Sequence, residues 1–219
     1  MQHKLSYILL AAMASLAGLG CKAKVPAIVA PFADDFERAG PGPDWLDTSS
    51  GAYRITAGKL NVKEAHNHPL WLKRKLPQDV VVEFDAMSKS PAGDIKVELF
   101  GDGESFDPDK GRYDPTSYMI ILGGWNNSSS IISRLGEHED AVKAARAREP
   151  GQAPPVELGR TYHFTIARKG GLIDWQLDGK PFLAWTDPSP LAGAGHEFFA
   201  INGWEADVYF DNLRIRPAN

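Results

Sequence analysis

Apolar and polar residues alternate along several short stretches of this chain. In Val80–Met87, Val82, Phe84 and Ala86 fall on one side while Glu83, Asp85 and Met87 fall on the other, because successive side chains of a strand leave on opposite faces. Ile95–Phe100 sets Ile95, Val97 and Leu99 against Lys96 and Glu98, and Thr161–Arg168 separates Tyr162, Phe164 and Ile166 from His163 and Thr165. One face of such a strand belongs to a core and the other is polar and wet. Similar runs are Ala52–Ile55, Lys59–Val62, Leu70–Lys75, Ser117–Leu122, Ser130–Leu135, Leu172–Leu177, Phe198–Ile201 and Val208–Ile215, eleven in all. Separated by Gly, Pro, Asp and Asn clusters, they predict an all-β domain of two stacked antiparallel sheets.

Turn chemistry agrees. Asp178-Gly179 stands between two apolar runs and is a strong hairpin signal, with weaker ones at Ala57-Gly58 and Gly170-Gly171. The one stretch of helical composition is Glu137–Arg148, alanines among charges without a large apolar stripe, read as a short surface helix or an excursion loop.

The first residues follow another pattern. Lys4 precedes an apolar stretch from Leu5 to Leu19, too short to span a bilayer as a stable helix, which ends at Gly18-Leu19-Gly20-Cys21. The run resembles the lipobox of bacterial lipoproteins, whose cysteine is acylated and becomes the first mature residue; Gly18 stands where a branched aliphatic is usual, and an ordinary secretory cleavage nearby is the alternative. Residues 1–21 are then leader and lipobox with Cys21 as the lipidation site, 22–31 a Pro-containing tether, and 32–219 the folded domain. Cys21 is the only cysteine, so the domain holds no disulfide and no thiolate-bound metal. With 24 basic and 28 acidic residues and a net charge of −4, the chain lacks the basic stripe that nucleic acid requires.

The order of motifs resembles the concanavalin A-like lectin and glucanase superfamily, in particular its laminin-G-like and 3-keto-disaccharide-hydrolase-like bacterial domains. Asp34-Asp35-Phe36 opens the domain and Gly58-Lys59-Leu60 follows. Gly159–Ile166, Trp175–Lys180 and Val208–Ile215 form the C-terminal half. The likeness spans residues 32 to 217 and implies an antiparallel two-sheet jelly-roll β-sandwich. It leaves function open, since the superfamily holds lectins, glycosidases, lyases and adhesion modules. The closing Asp211-Asn212 suits a structural role where a last strand bends.

Several groups of residues suit chemistry. Glu83 and Asp85 project from one strand face, as carboxylates do in the retaining glucanases of this superfamily, but the further Glu of that pattern is missing. Glu98 of the next strand would have to complete the pair. The plainer alternative is a solvated face on which Glu83 and Asp85 pair with Lys96 or Arg134. His66, Asn67, His68 and Trp71 form a segment suited to sugar hydrogen bonding or, without a third ligand nearby, less well to a metal. Gly123-Gly124-Trp125-Asn126-Asn127, followed by a strand with Arg134, offers an apolar ring face beside amides, and Trp204 lies in a second such loop. For Trp125 the alternative is a lid on the core. The acidic loop from Asp102 to Asp114 has oxygen ligands for Ca²⁺ but not the spacing of a calcium loop. No other cofactor or metal site is expected.

These features lead to an exported, lipid-anchored carbohydrate-binding module of the bacterial cell envelope, facing the periplasm or the outside. Its partner would be a poly- or oligosaccharide, and its only membrane contact the lipid. The alternatives are a glycoside hydrolase or polysaccharide lyase, and an envelope protein that binds another protein.

Overall fold

The computed structural model describes residues 25–104, 106–107, 112–138 and 142–218. In chain order the strands are β1 (Phe32–Asp34), β2 (Trp45–Asp47), β3 (Tyr53–Thr56), β4 (Lys59–Val62), β5 (Leu70–Leu72), β6 (Val80–Ser88), β7 (Ile95–Gly101), β8 (Phe106–Asp107) and β9 (Arg112–Tyr113). They continue with β10 (Tyr118–Gly123), β11 (Ser129–Arg134), β12 (Val142–Ala147), β13 (Thr161–Lys169), β14 (Leu172–Leu177), β15 (Lys180–Thr186), β16 (Phe198–Asn202) and β17 (Val208–Pro217). One sheet runs β15-β14-β13-β6-β17-β4-β3 with β1 also on β17. The second runs β12-β11-β10-β7-β16-β5-β2, and β8 and β9 make a separate ribbon. Every strand pairing is antiparallel. The fold is the expected jelly-roll β-sandwich.

The alternating patterns set the facing surfaces. Val82, Phe84 and Ala86 of β6, Tyr162, Phe164 and Ile166 of β13, and Ile95, Val97 and Leu99 of β7 all enter one core. Phe84 and Phe164, cross-strand partners, stack with centroids 4.6 Å apart, and Phe164 stacks on Trp175 at 5.6 Å. The Asp178-Gly179 hairpin has both residues at positive φ, 52° and 71°, which matches the twist of its flanking strands. At the end of the chain β17 shifts register between Asp211 and Arg214. The shift changes the parity of the strand, so that Phe210 and Leu213, three apart, both point inward. Asn212 sits there at φ 52° and its amide donates to Asp85 at 2.9 Å, the structural role expected of that motif.

Asp34 of the opening motif is a clasp. Its carboxylate accepts from Arg38 at 2.6 and 2.7 Å, from the Trp45 indole at 2.8 Å and from the Phe36 amide at 2.9 Å. Burial alone would push its pKa up, but these donors outweigh it and hold it below the ordinary carboxylate value.

Three expectations are corrected. The helix-like stretch Glu137–Arg148 contains β12, paired antiparallel with β11 along its length. With no apolar stripe a helix gains little from packing, whereas a strand completes the β11 ladder, and exposed Arg146 puts charge on the resulting edge. The tether segment 22–31 is docked in its second half: Ile28 is buried, its amide donates to the Lys75 carbonyl at 2.9 Å, and Ala27 pairs with Lys75. Finally, β7 does not adjoin β6. Its neighbours are β10 and β16, so Glu98 belongs to the other sheet from Glu83 and Asp85. Cys21 and the leader lie outside the described residues.

Phe164 sits at the middle of the aromatic stack and is buried on every side. Phe164→Ala is expected to cost about 3–5 kcal/mol of unfolding free energy by equilibrium urea denaturation, whereas Thr165→Ala on the outer face of the same strand should change it by less than about 1 kcal/mol.

Candidate ligand site

Parity also decides what lies on the outer faces, and the two sheets differ. On the β6 sheet the outer face is wet and its carboxylates have partners. Asp85 bonds His163 at 2.7 Å, Glu83 lies 3.6 Å from Arg216, and Lys59 meets Asp211. Glu83 and Asp85 therefore find cross-strand partners on their own sheet, not Lys96 or Arg134.

The outer face of the β7 sheet is dry instead. Lys96 and Glu98, expected in water, are 2 % and 0 % exposed. Met119, Ile121 and Ile131 form a small apolar cluster there, with Tyr113 of β9 packed on it. Glu98 accepts from the hydroxyls of Tyr113 at 2.7 Å and Ser117 at 2.6 Å and from the Asn202 amide at 2.6 Å. Burial raises its pKa, and these three donors with the Lys96 charge only partly offset that. Lys96 donates to Asn67 at 2.9 Å and pairs with Glu137 at 2.9 Å. Burial by itself would lower its pKa, but the Asp94 and Glu137 carboxylates, and more weakly Glu98, reverse this and keep the ammonium charged.

Where this face opens, a cavity of about 370 Å³ is lined by Asn67, Asp94, Lys96, Trp125, Asn126, Glu137, His138, Trp204 and Glu205, with Ala92, Ile121, Gly124 and Ala206. Several loops build it. The segment after β10 turns left-handed: Gly123, Trp125, Asn126 and Asn127 have φ of 70°, 48°, 58° and 61°. Asparagine tolerates that region, whereas tryptophan seldom adopts it. Asn127 fixes the turn by donating to the carbonyls of Pro91 and Val156 at 3.2 and 2.7 Å and accepting from the Val156 amide at 3.1 Å. A side chain on Gly123 would run into the Asn127 amide oxygen. Trp125 is thereby held out at 42 % exposure. The loop before β17 presents Trp204 at 47 % exposure and is fastened to the loop before β5, since the amides of His66 and Asn67 donate to the carbonyls of Trp204 and Gly203 at 3.1 and 3.0 Å. The His66 ring stands edge-on to Trp204, 4.8 Å between centroids.

Of the residues expected to bind, Asn67, Trp125, Asn126 and Trp204 meet at this cavity, and His66 backs Trp204. Others are elsewhere. His68 is turned to the Ala65 carbonyl at 3.0 Å, and Trp71 is 1 % exposed beneath the surface. Asn127 is buried and spent on the turn. Arg134 points to the core side of its sheet, 3.2 Å from buried Asp187. The expected carboxylate trio does not converge. Asp94, Lys96, Glu137, His138 and Glu205 were missed; Lys96 was visible as a polar position of an alternating strand, but nothing local showed that Glu137 would fold over it. In the acidic loop the Asp102 carboxylate accepts from the Glu104 amide at 2.7 Å, and residues 105 and 108–111 lie outside the described residues. Among the described residues no cluster of three or more His, Cys, Asp or Glu is placed to hold a metal.

A family model described as farnesoic acid O-methyl transferase matches residues 105–214. The chain belongs to this family. The family's description implies a long isoprenoid acid and a methyl donor. The cavity has the volume of one small ligand, and carboxylates, an ammonium and amides interrupt its apolar lining. It does not fit both groups side by side, and no methyl-transfer step follows from it. The family member is also 27 % identical over 161 residues to an extracellular exo-α-L-arabinofuranosidase of Streptomyces chartreusis, covering 73 % of this chain and 17 % of that enzyme. The chain thus spans about a sixth of the length of that relative. In fold it is similar to a Bacillus subtilis protein with a galectin-like fold, with TM-score 0.60, 15 % identity, and coverage of 88 % of this chain and 97 % of that one. It is similar as well to the laminarinase catalytic domain of Thermotoga maritima, with TM-score 0.58, 14 % identity, and coverage of 88 % and 100 %.

The raised Glu98 pKa sets a pH dependence. Its folded form holds a proton more tightly than the unfolded chain, so between the ordinary carboxylate value of about 4.3 and its raised value stability falls as pH rises, and it is level above that window. Glu98→Gln cannot lose this proton. The melting temperature of the variant minus that of the wild type is expected to be more positive at pH 7 than at pH 4 by differential scanning calorimetry. A difference that is constant across that range would show Glu98 to be unshifted.

Proposed function

We propose that this domain is an exported, lipid-anchored carbohydrate-binding module whose ligand sits in the cavity flanked by Trp125 and Trp204. The observation that carries the reading is the pairing of two half-exposed indoles with polar side chains in a mainly apolar lining. Indole faces take the C–H surface of a sugar ring, and Asn67, Asn126, Asp94 and Glu205 supply donors and acceptors for its hydroxyls. The arabinofuranosidase relative and the laminarinase fold neighbour act on glycans by their names, which supports a glycan ligand, and the relative is extracellular. The apolar leader ending at Cys21 supports export and lipidation.

A second reading, hydrolysis of a glycosidic bond, is favoured by the carboxylates of Asp94, Glu137 and Glu205 in the same cavity and by the relative's name. In that case the chemistry runs through these groups and not through Glu83, Asp85 and Glu98.

The test is a glycan array followed by titration calorimetry of the full chain. Trp125→Ala and Trp204→Ala are each expected to weaken the best ligand roughly tenfold or more, about 1–2 kcal/mol, with melting temperature unchanged. An array on which no glycan is retained, or variants that bind as the wild type does, would sink the proposal. Release of reducing ends that is lost in Glu137→Gln would establish the second reading in its place.

A further inference from the structure

The charges around the cavity say what kind of sugar it suits. Asp94, Glu137 and Glu205 bring carboxylates to its lining, and Lys96 and His138 are the basic groups there. Lys96 is committed: it is almost wholly buried and its ammonium is divided between Glu137 and Asn67. That pair cancels and His138 is itself engaged within the protein, leaving Asp94 and Glu205. Asp94 is only partly used, its carboxylate accepting from the Trp204 amide at 3.2 Å. Glu205 is exposed at the rim beside Trp204, and among the described residues no hydrogen bond or ion pair engages it. No arginine lines the cavity, so the fork that recognises carboxylates and sulfates is missing from the described lining. The two indole faces act in the same sense, because the negative face of an aromatic ring attracts cations as well as C–H groups.

We propose that the cavity prefers a sugar bearing a protonated amine, a hexosamine with its amino group unacetylated, over the N-acetylated sugar and over a uronate. The inference rests on the reading that the cavity binds glycans and adds the charge of the ligand to it. In the arrangement that follows, the sugar ring lies against Trp204 or Trp125 and the ammonium faces Glu205 and Asp94. A uronate would bring its negative charge toward these carboxylates, with Lys96 and His138 both already engaged within the protein. The preference is electrostatic and near solvent, so salt weakens it.

The test uses the full chain and short oligomers of equal length made of glucosamine, N-acetylglucosamine or galacturonic acid, titrated at pH 6 and low ionic strength with tryptophan fluorescence and calorimetry as readouts. The glucosamine oligomer is expected to bind on the order of fivefold more tightly than its N-acetylated counterpart, with galacturonate weakest. The ratio should fall toward one in 0.5 M NaCl, where the screening length is about 4 Å, and in Glu205→Gln. Glu149→Gln, which removes an exposed carboxylate outside the cavity, should leave the ratio unchanged. If the N-acetylated or uronate oligomer binds as tightly as the amine, the charge preference is wrong while glycan binding stands. If Glu149→Gln lowers the ratio as much as Glu205→Gln does, the attraction is non-specific and the proposal falls. If none of the three oligomers and no glycan on the array binds, the carbohydrate reading itself is overturned, and this one with it.

Discussion

A strand has two sides, and burying one dictates where every residue of the other side goes. In this domain the burial that sets that choice is that of the facing sheet surfaces, and on the inner face of the β6 sheet Phe84, Phe164 and Trp175 stack in series with Phe210 against Phe84. A slip of one residue in β6 or β13 would carry Phe84 or Phe164 into water and Glu83 or His163 into the core, a change far costlier than any single contact at the surface. The aromatic stack therefore fixes register, and register fixes which polar side chains share an outer face. Where a second set of apolar residues has to enter from a strand of the wrong parity, the chain inserts a bulge, as at Asp211 and Asn212.

The two outer faces then part ways for a reason that lies outside the strands. On the β6 sheet, residues of neighbouring strands meet one another and water, and polar groups are matched across the ladder, Asp85 bonding His163 and Lys59 pairing with Asp211. On the β7 sheet, chain that follows β7 and β11 crosses the face: Tyr113 covers the Met119 cluster and bonds Glu98, and Glu137 closes on Lys96. Polar groups so covered must be satisfied internally. Glu98 has three donors and Lys96 an acceptor and a counter-ion. The cavity is the part of the face that these segments leave open, bordered by the loops at the ends of β10 and β16.

This explains which parts were legible in the sequence. The alternation in Val80–Met87, Ile95–Phe100 and Thr161–Arg168 assigned the core face correctly, because that information is carried within each strand. The Asp178-Gly179 turn was readable because its chemistry is local. Partners across the sheet were not. That β7 lies beside β10 and β16, and not beside β6, is a property of topology, and with it went the supposed meeting of Glu98 with Glu83 and Asp85. Composition misled at Glu137–Arg148, where alanine and charge suggested a helix but an open ladder on β11 decided for a strand. Trp125, Asn126, Asn67 and Trp204, which line the cavity, stand out in the sequence as rings beside amides in loops. Asp94 and Glu205 look like any loop carboxylate until the cavity is seen.

The strained turn at Trp125 follows from the same division of labour. Three successive non-glycine residues in the left-handed region carry a conformational cost, and a glycine-rich loop of ordinary geometry would connect β10 to β11 without it. What the turn achieves is to bury the Asn127 amide among Pro91 and Val156 while aiming the neighbouring indole outward. Folding stability alone would favour the opposite, an indole folded down on the adjacent Ile121 and an asparagine in water. A loop that spends its hydrogen bonds on holding a large apolar ring toward solvent, beside a cavity that a second such ring fastened by a different loop also lines, fits the proposal that the cavity receives a ligand.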